Sequence, residues 1–367
     1  MTVALPPSIA RLDYVTPPEL ISELENAGRA ITALDAGPGQ VTNALGGFLL
    51  RTESVASSKI EYIEASTDDY ARALVGIRAN ENATSMVAAT RALAAMIDSA
   101  GSGTITLRSI LEAHEILMHD DAFDGQFAGK LRTQQNWIGG SDYSPLGAIH
   151  VPPPPGAVAD YMDDLLEFAN RDDVPVIAQA AITHAQFESI HPFTDGNGRI
   201  GRGLINAIIR RRGLTTTTVS PIATAMAAQR QEYFDLVNSY RDGHIDPFVR
   251  SLAQSARIAS RAGQLSALAF AELPALWETL TRPRKGSATA KIIDQLLDHP
   301  VLSAEDAVRL TGASSTSAYE AMRRLERDGV VHEVTSRQRD KVWAASEVLA
   351  ELDRLSSRIA DEVRKAR

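Results

Sequence analysis

The sequence predicts a mainly α-helical protein: a helical bundle carrying a β-hairpin flap, followed by a winged helix-turn-helix module. Three observations predict it. Alanine is abundant and aromatic residues make up only 5%, which favours helices over sheets. Apolar residues recur at helical spacing, as in Met86, Ala89, Leu93, Met96 and Ile97. Near the end of the chain, short helical patterns, a longer one and a strand-like pair follow in winged-helix order. The 367 residues suffice for two or three domains and a sizeable core.

In chain order, residues 1–105 form an N-terminal helical region. Prolines 6, 7, 17 and 18 mark turns near its start, Gly37 to Gly39 break it, and an Ala/Met-rich helix fills its later part. Residues 106–215 open with a helix over Leu107 to Met118. A Gly- and aromatic-rich hairpin follows from Gly125 to Val151, and Pro152 to Pro155 form a stiff turn. A helix from Pro175 to Ser189 leads through a glycine turn into another over Arg199 to Arg212. Residues 216–281 read as helices, chiefly Met226 to Tyr240 and Pro247 to Ala271, and Arg282 to Gly286 as a linker. Residues 287–345 carry the winged-helix pattern: Ile292 to His299, Ala304 to Leu310, a recognition helix over Ser314 to Arg327, and a hairpin from Val330 to Ala344. A charged helix, 346–367, closes the chain.

Bulk properties exclude several classes. Without cysteine there are no disulfides, thiolate metal sites or cysteine nucleophile. No window reaches the roughly 18 apolar residues that a membrane span needs, and the first residues lack a signal-peptide pattern, so a cytoplasmic protein is expected. The net charge of −9 argues against a nucleic-acid coat.

The chemistry concentrates in His191-Pro-Phe-Thr-Asp-Gly-Asn-Gly-Arg-Ile-Gly-Arg202: a helix end, a tight glycine loop and a new helix start. Backbone N–H groups of Gly196, Asn197 and Gly198 can converge as an anion nest at the positive end of the following helix. Arg199 and Arg202, three residues apart, can reach one polyphosphate. Asp195 is a hard oxygen ligand suited to Mg²⁺ bridging phosphates. His191, with an ordinary pKa of about 6.5, can accept a proton from an attacking hydroxyl. His184 reads as a packed histidine, and His114, His119 and His150 lack partners at zinc-ligand spacing.

This stretch resembles the Fic family of nucleotidyl transferases, whose signature HPFxDGNGRxGR is met at every fixed position from His191 to Arg202. The resemblance implies His191 as general base, Asp195 as the Mg²⁺ ligand, and Gly196, Asn197, Gly198, Arg199 and Arg202 as the binding site for ATP phosphates. Tyr233 falls where relatives place a nucleotide-contacting tyrosine, and Arg241 where some have asparagine. Gly129 to Arg132 and Asn136 to Gly140 resemble the family's flap, in which Trp137, Ile138 and Gly139 would dock a target segment by strand addition. Ser57 to Glu61 resembles an inhibitory motif, (S/T)xxxE(G/N), with Ser57 and Glu61 on one helix face and Glu61 paired with Arg202. Tyr62 departs from the usual Gly or Asn.

The implied function is AMP transfer from ATP to a Tyr, Ser or Thr hydroxyl of a protein target, the enzyme itself included, restrained by Glu61. Use of another nucleotide, or removal of AMP, stays open, as does a nucleotide-sensing DNA-binding regulator with an inactive core. The last module offers Arg323, Arg324, Arg327, Arg337, Arg339 and Lys341 to DNA. Yet residues 282–345 hold 11 Lys/Arg against 9 Asp/Glu, a difference of only +2. Protein docking or a homodimer are the other uses of such a module.

Overall fold

Four helices build the N-terminal region: α1 (Pro18–Asp35), α2 (Thr42–Ile60), α3 (Thr67–Leu74) and α4 (Glu81–Ala100). The side chains of Ser66 and Asn80 cap α3 and α4 by accepting from Asp69 N–H and Ala83 N–H. The computed structural model describes residues 2–37, 42–77, 80–141, 143–335 and 341–366. Pro38 and Gly39, part of the expected glycine break, lie outside the described residues.

Helix α5 (Leu107–Met118) spans the stretch that its pattern predicts, because Thr106 and Ser109 form a reciprocal capping box at its start. Then come α6 (Val158–Ala169), α7 (Val176–Ile190) and α8 (Asn197–Arg211). Every residue of α7 from Ile177 to Ile190 is buried, so α7 is the central helix, packed by α1, α6, α8 and α11. Two of its buried amides are satisfied within the core: Gln179 donates to Phe168 O at 2.9 Å, and Gln186 donates to Pro7 O at 2.7 Å.

The single helix expected over Met226 to Tyr240 is two, α9 (Ile222–Ala228) and α10 (Arg230–Arg241). They are separated at Gln229, where φ −133° and ψ 44° leave helical space. Helix α11 (Ile245–Thr281) runs through Pro274 well past the expected end at Ala271, anchored by buried Phe270, Leu273 and Trp277. In the expected hairpin from Gly125 to Val151, pairing among the described residues is confined to single bridges, Ile138 with His150 and Ser141 with Ser144. Gly139, Gly140 and Gly147 at positive φ interrupt any longer ladder there.

The last unit comprises α12 (Ala288–Gln295), β1 (Val301–Ser303), α13 (Ala304–Thr311), α14 (Ser315–Arg327), β2 (Val331–Glu333), β3 (Val342–Ala345) and α15 (Ser346–Lys365). Strand β1 has no counterpart in the sequence pattern. It pairs antiparallel with β3, giving the order β1-β3-β2, and three residues are too few for period-2 alternation to register. The unit is docked on the bundle, sharing one core in which Phe48, Phe270, Trp277, Met322, Trp343 and Leu355 belong to the same cluster. Arg324 fixes the segment after α11 by donating to Thr281 O and Arg282 O. Helix α15 returns across α11, α9 and α2.

Candidate active site

The end of α7 is bent to present His191, whose φ of 50° and ψ of 61° are left-handed while its N–H still closes on Phe187 O at 2.8 Å. Phe193 is fully buried, its ring stacked on His114 at 3.8 Å and 5°. A reciprocal amide clamp closes the loop: Phe193 N–H donates to Asn197 Oδ1, and Asn197 Nδ2 donates to Phe193 O, both at 2.9 Å. Gly196 sits at φ 77°, and a Cβ there would meet Leu117 at 3.0 Å and Met118 at 3.2 Å, so only glycine fits. Helix α8 then starts with no side-chain cap, leaving its first-turn N–H groups to a cavity of about 440 Å³.

Into that cavity converge His191, Asp195, Gly196, Asn197, Gly198, Arg199, Arg202, Tyr233 and the flap residues Ile138 and Gly139. Trp137 is not among its lining; its indole N–H donates to Ser141 O at 2.8 Å. Arg199 is buried, donating to Ser85 Oγ at 2.9 Å and lying 3.3 Å from Asp195 Oδ2. The Asp195 side chain is 55% exposed and lines the cavity. One accessible carboxylate beside an anion nest suits Mg²⁺, which takes one or two protein carboxylates and fills its shell with phosphate and water oxygens. Among the described residues no group of three or more His, Asp or Glu gathers as a self-contained cation cage.

Arg202 is fully occupied. Its Nε donates to Ser57 Oγ at 2.9 Å, and Nη2 donates to Ser57 O at 2.9 Å and to Glu61 Oε1 at 2.7 Å. Nη1 lies 3.4 Å from the Tyr233 hydroxyl, which also meets His184 Nε2 at 2.9 Å. Burial depresses the guanidinium, but Glu61, Tyr233 and Glu188 outweigh it and push its pKa up. Glu61 also presses on the anion nest: its Oε1 lies 1.9 Å from where a Cβ on Gly198 would be.

The expectation that Ser57 and Glu61 share a helix face needs correction. Helix α2 ends at Ile60, and Glu61 stands in the turn beyond, its N–H bonded to Ser58 O at 3.0 Å. Tyr62 follows at φ 61°, a conformation that Gly or Asn would adopt at less cost. Its ring, 72% exposed, is held 3.7 Å from the Arg230 guanidinium.

Two residues of the flap strings act where no pattern marked them. Arg132 is buried and ties the flap to the end of α7: its N–H donates to Pro192 O at 2.9 Å and its Nε to His191 O at 2.8 Å. Asn136 Nδ2 donates to His191 Nδ1 and to Phe193 O, both at 2.9 Å, while its Oδ1 is buried without a partner. Their hydrogen bonds run to residues far along the chain, so neither periodicity nor local spacing could signal them.

Four histidines in and around the site are held neutral. Burial above all lowers His184 and His191 to about 3 and His114 and His150 to about 4. The unfolded chain therefore binds protons between pH 6.5 and 4 that the folded chain refuses, and stability falls as pH falls through that window. Within it, lowering the pH by one costs about 1.4 kcal/mol per group. The buried carboxyls of Glu53 and Glu188, raised to about 8 and about 7, each return a similar amount by binding a proton in the folded chain. The melting temperature should therefore drop by about 3–4 °C between pH 7 and pH 5. A scan showing the same melting temperature at both values would contradict the burial of these rings.

The cations expected to meet DNA are only partly available. Lys341 Nζ lies 2.6 Å from Glu333 Oε2, Arg327 Nε lies 3.5 Å from Asp328 Oδ1, and Arg324 is engaged with the segment after α11. Arg323 is exposed, and Arg337 and Arg339 lie outside the described residues.

The Fic/DOC family matches residues 104–209, the stretch that holds this cavity's loop, flap residues and helix α8, while Glu61, Tyr62 and the α10 wall lie outside it. The protein adenylyltransferase Fic of Drosophila virilis is 35% identical over 153 residues, 41% of this chain and 28% of that protein. Its counterpart in Aedes aegypti is 34% identical over the same length, 27% of that protein. The match thus spans little more than a quarter of these curated relatives. In three dimensions a Fic family protein from Desulfovibrio desulfuricans G20 superposes with a TM-score of 0.56 at 21% identity, covering 91% of this chain and 97% of that one. A Fic domain containing signaling protein from Bacteroides thetaiotaomicron VPI-5482 gives 0.54 at 16% identity over 67% of this chain and 97% of that one. These superpositions speak for the fold, a mainly helical Fic-type bundle. No helix among the described residues is long and apolar enough to cross a membrane.

Proposed function

For a chain whose residues 104–209 form a Fic domain, we propose the transfer of AMP from ATP to a Tyr, Ser or Thr hydroxyl of a protein, itself included, under restraint by Glu61. The observation that carries this reading is the convergence of His191, Asp195, the uncapped start of α8 and Arg202 on one cavity. Its support from relatives is the activity in the names of the insect proteins that match the same domain.

The hydroxyl oxygen forms a bond to the α-phosphorus, the bond to the bridging oxygen of pyrophosphate breaks, and the hydroxyl proton passes to His191. The N–H groups of Gly196, Asn197 and Gly198, with Arg199 and Arg202, hold the phosphates and oppose their charge as it shifts toward the leaving group. Asp195 would hold Mg²⁺, which neutralises phosphate charge when bound. Ile138 and Gly139 border the cavity, where a target strand could add to the flap. Tyr233 acts through its contact with Arg202.

Asn136 sets the proton on the base. As it stands, its amide donates to Nδ1, so the ring carries its proton on Nε2. Turning the amide brings the unpartnered Oδ1 onto Nδ1. With Asn197 Nδ2 giving up its 3.3 Å contact to Nδ1 in favour of Phe193 O, the ring proton shifts to Nδ1 and frees the Nε2 lone pair. Phe193 O keeps Asn197 Nδ2 as a donor throughout. Asn136→Ala should lower transfer about tenfold while leaving ATP affinity within about twofold, the effect of losing one orienting hydrogen bond. Equal turnover by the two proteins would remove Asn136 from the mechanism.

We read residues 287–345 as a winged helix that docks protein; the engaged cations favour this over DNA. A DNA mobility shift that weakens steeply between 50 and 200 mM salt would reverse that preference.

A further inference from the structure

Helices α2 and α8 meet in an antiparallel ladder with a period of four. Asn206 Nδ2 of α8 donates to Glu53 Oε1 of α2 at 3.0 Å, and one turn on Arg202 donates to Ser57 at 2.9 Å. One turn further, Glu61 crowds Gly198 while accepting from Arg202 at 2.7 Å. Positions 53, 57 and 61 thus descend against 206, 202 and 198. The rung at Glu53 lies farthest from the cavity and is buried, 2% exposed. Its second oxygen accepts from Ala223 N–H at 2.7 Å, in the first turn of α9. Burial lifts the Glu53 pKa to about 8, against the pull of Ala223 N–H, Arg202 and Asn206. A carboxyl kept in such a place is costly unless its contacts do something an apolar side chain cannot.

We infer that Glu53 is the register pin of the inhibitory segment: by holding α2 to both α8 and α9, it keeps Glu61 on Arg202. The inference rests on the proposed restraint of the site by Glu61. Asn206 cannot follow a moving α2, because its amide is fixed by Ser220 N–H and Ser220 O, each at 3.2 Å. Ala223 N–H belongs to a separate helix. A slip of α2 by one turn would carry Glu61 about 5.4 Å from its partner, and both donors to Glu53 oppose it. Ser57 and Glu61 alone would not, since both grip the same guanidinium, which can travel with them. Glu53 is therefore a positioning residue for the restraint, with no contact to the reacting groups.

The test uses the full chain with Glu53→Gln, which keeps shape and loses one acceptor, and Asn206→Ala, which removes the α8 half of the contact. Melting temperatures confirm that each is folded. Self-labelling with α-labelled ATP should rise about tenfold over the parent in either variant, the factor that loss of one buried hydrogen bond carries. In a Glu61→Gly background, Glu53→Gln should change labelling by less than about twofold, because the pin acts only through Glu61. A merely structural role would lower labelling in both backgrounds, and that result would overturn the inference. Amide exchange supplies a readout independent of the transfer reaction: residues 54–62 should exchange about tenfold faster in Glu53→Gln, with α4 unchanged. Parent-like protection over 54–62 refutes the pin whatever the labelling shows. Faster exchange in a protein whose Glu61→Gly form never labels supports the pin and refutes the transferase reading instead.

Discussion

Glu61→Gly should raise self-labelling with α-labelled ATP by about 30- to 100-fold. The contact being removed is a charge-assisted hydrogen bond of 2.7 Å to a guanidinium that is 1% exposed. A bond of that kind is worth about 2–2.7 kcal/mol, which converts to the stated range. The Glu61 side chain itself is 35% exposed, so solvent screening argues for the lower half of that range. Release acts twice, because the carboxylate both occupies Arg202 and crowds the backbone of Gly198 where phosphate oxygens would sit. Ser57 keeps its bonds to Nε and Nη2, so Arg202 stays in place and one N–H of Nη2 is freed toward the cavity. ATP affinity should rise in parallel. Equal, measurable labelling by parent and variant would dispose of the restraint, whereas no added nucleotide on either by mass spectrometry would dispose of the transferase reading.

His191→Ala, made in the Glu61→Gly background, should reduce transfer by about a thousandfold, within the span that general-base removal produces. ATP binding should stay within about threefold, because the phosphate-binding groups belong to α8 and the loop before it. The intact ring also predicts a pH profile. Burial, helped by Arg241, His150 and Arg132, holds His191 at about 3, so the ring is neutral and able to accept a proton throughout the working range. Transfer by Glu61→Gly should therefore be flat from pH 8 down to about pH 5.5, whereas an imidazole at its ordinary pKa of about 6.5 would lose half its activity at that value. Short assays at low temperature separate this from the fall in stability over the same interval. A profile halving near pH 6.5 would mean that the ring is solvated during turnover, and retained transfer by the alanine variant would remove it as base.

The sequence by itself determined the parts whose chemistry is local. The run from His191 to Arg202 identifies a helix end, an anion-binding turn and a helix start, because glycine at positive φ and arginines three apart need only nearby backbone to take their roles. Helix α5, the α7–α8 pair and α14 were legible for a similar reason, apolar periodicity bounded by caps and glycines. Tertiary structure alone decided what depends on elements far apart in the chain. The pairing of Glu61 with Arg202 across 141 positions, expected only through the resemblance, follows physically from how α2 lies on α8. That Asn136 reaches His191 follows from how Arg132 draws the flap under the end of α7. Strand β1 gained its identity only from β3, and the last unit became part of the bundle only through the core that Phe270 and Trp277 share with Trp343. Hydrogen bonds and buried contacts between distant segments leave no period in a sequence, since only the packed fold brings their partners together.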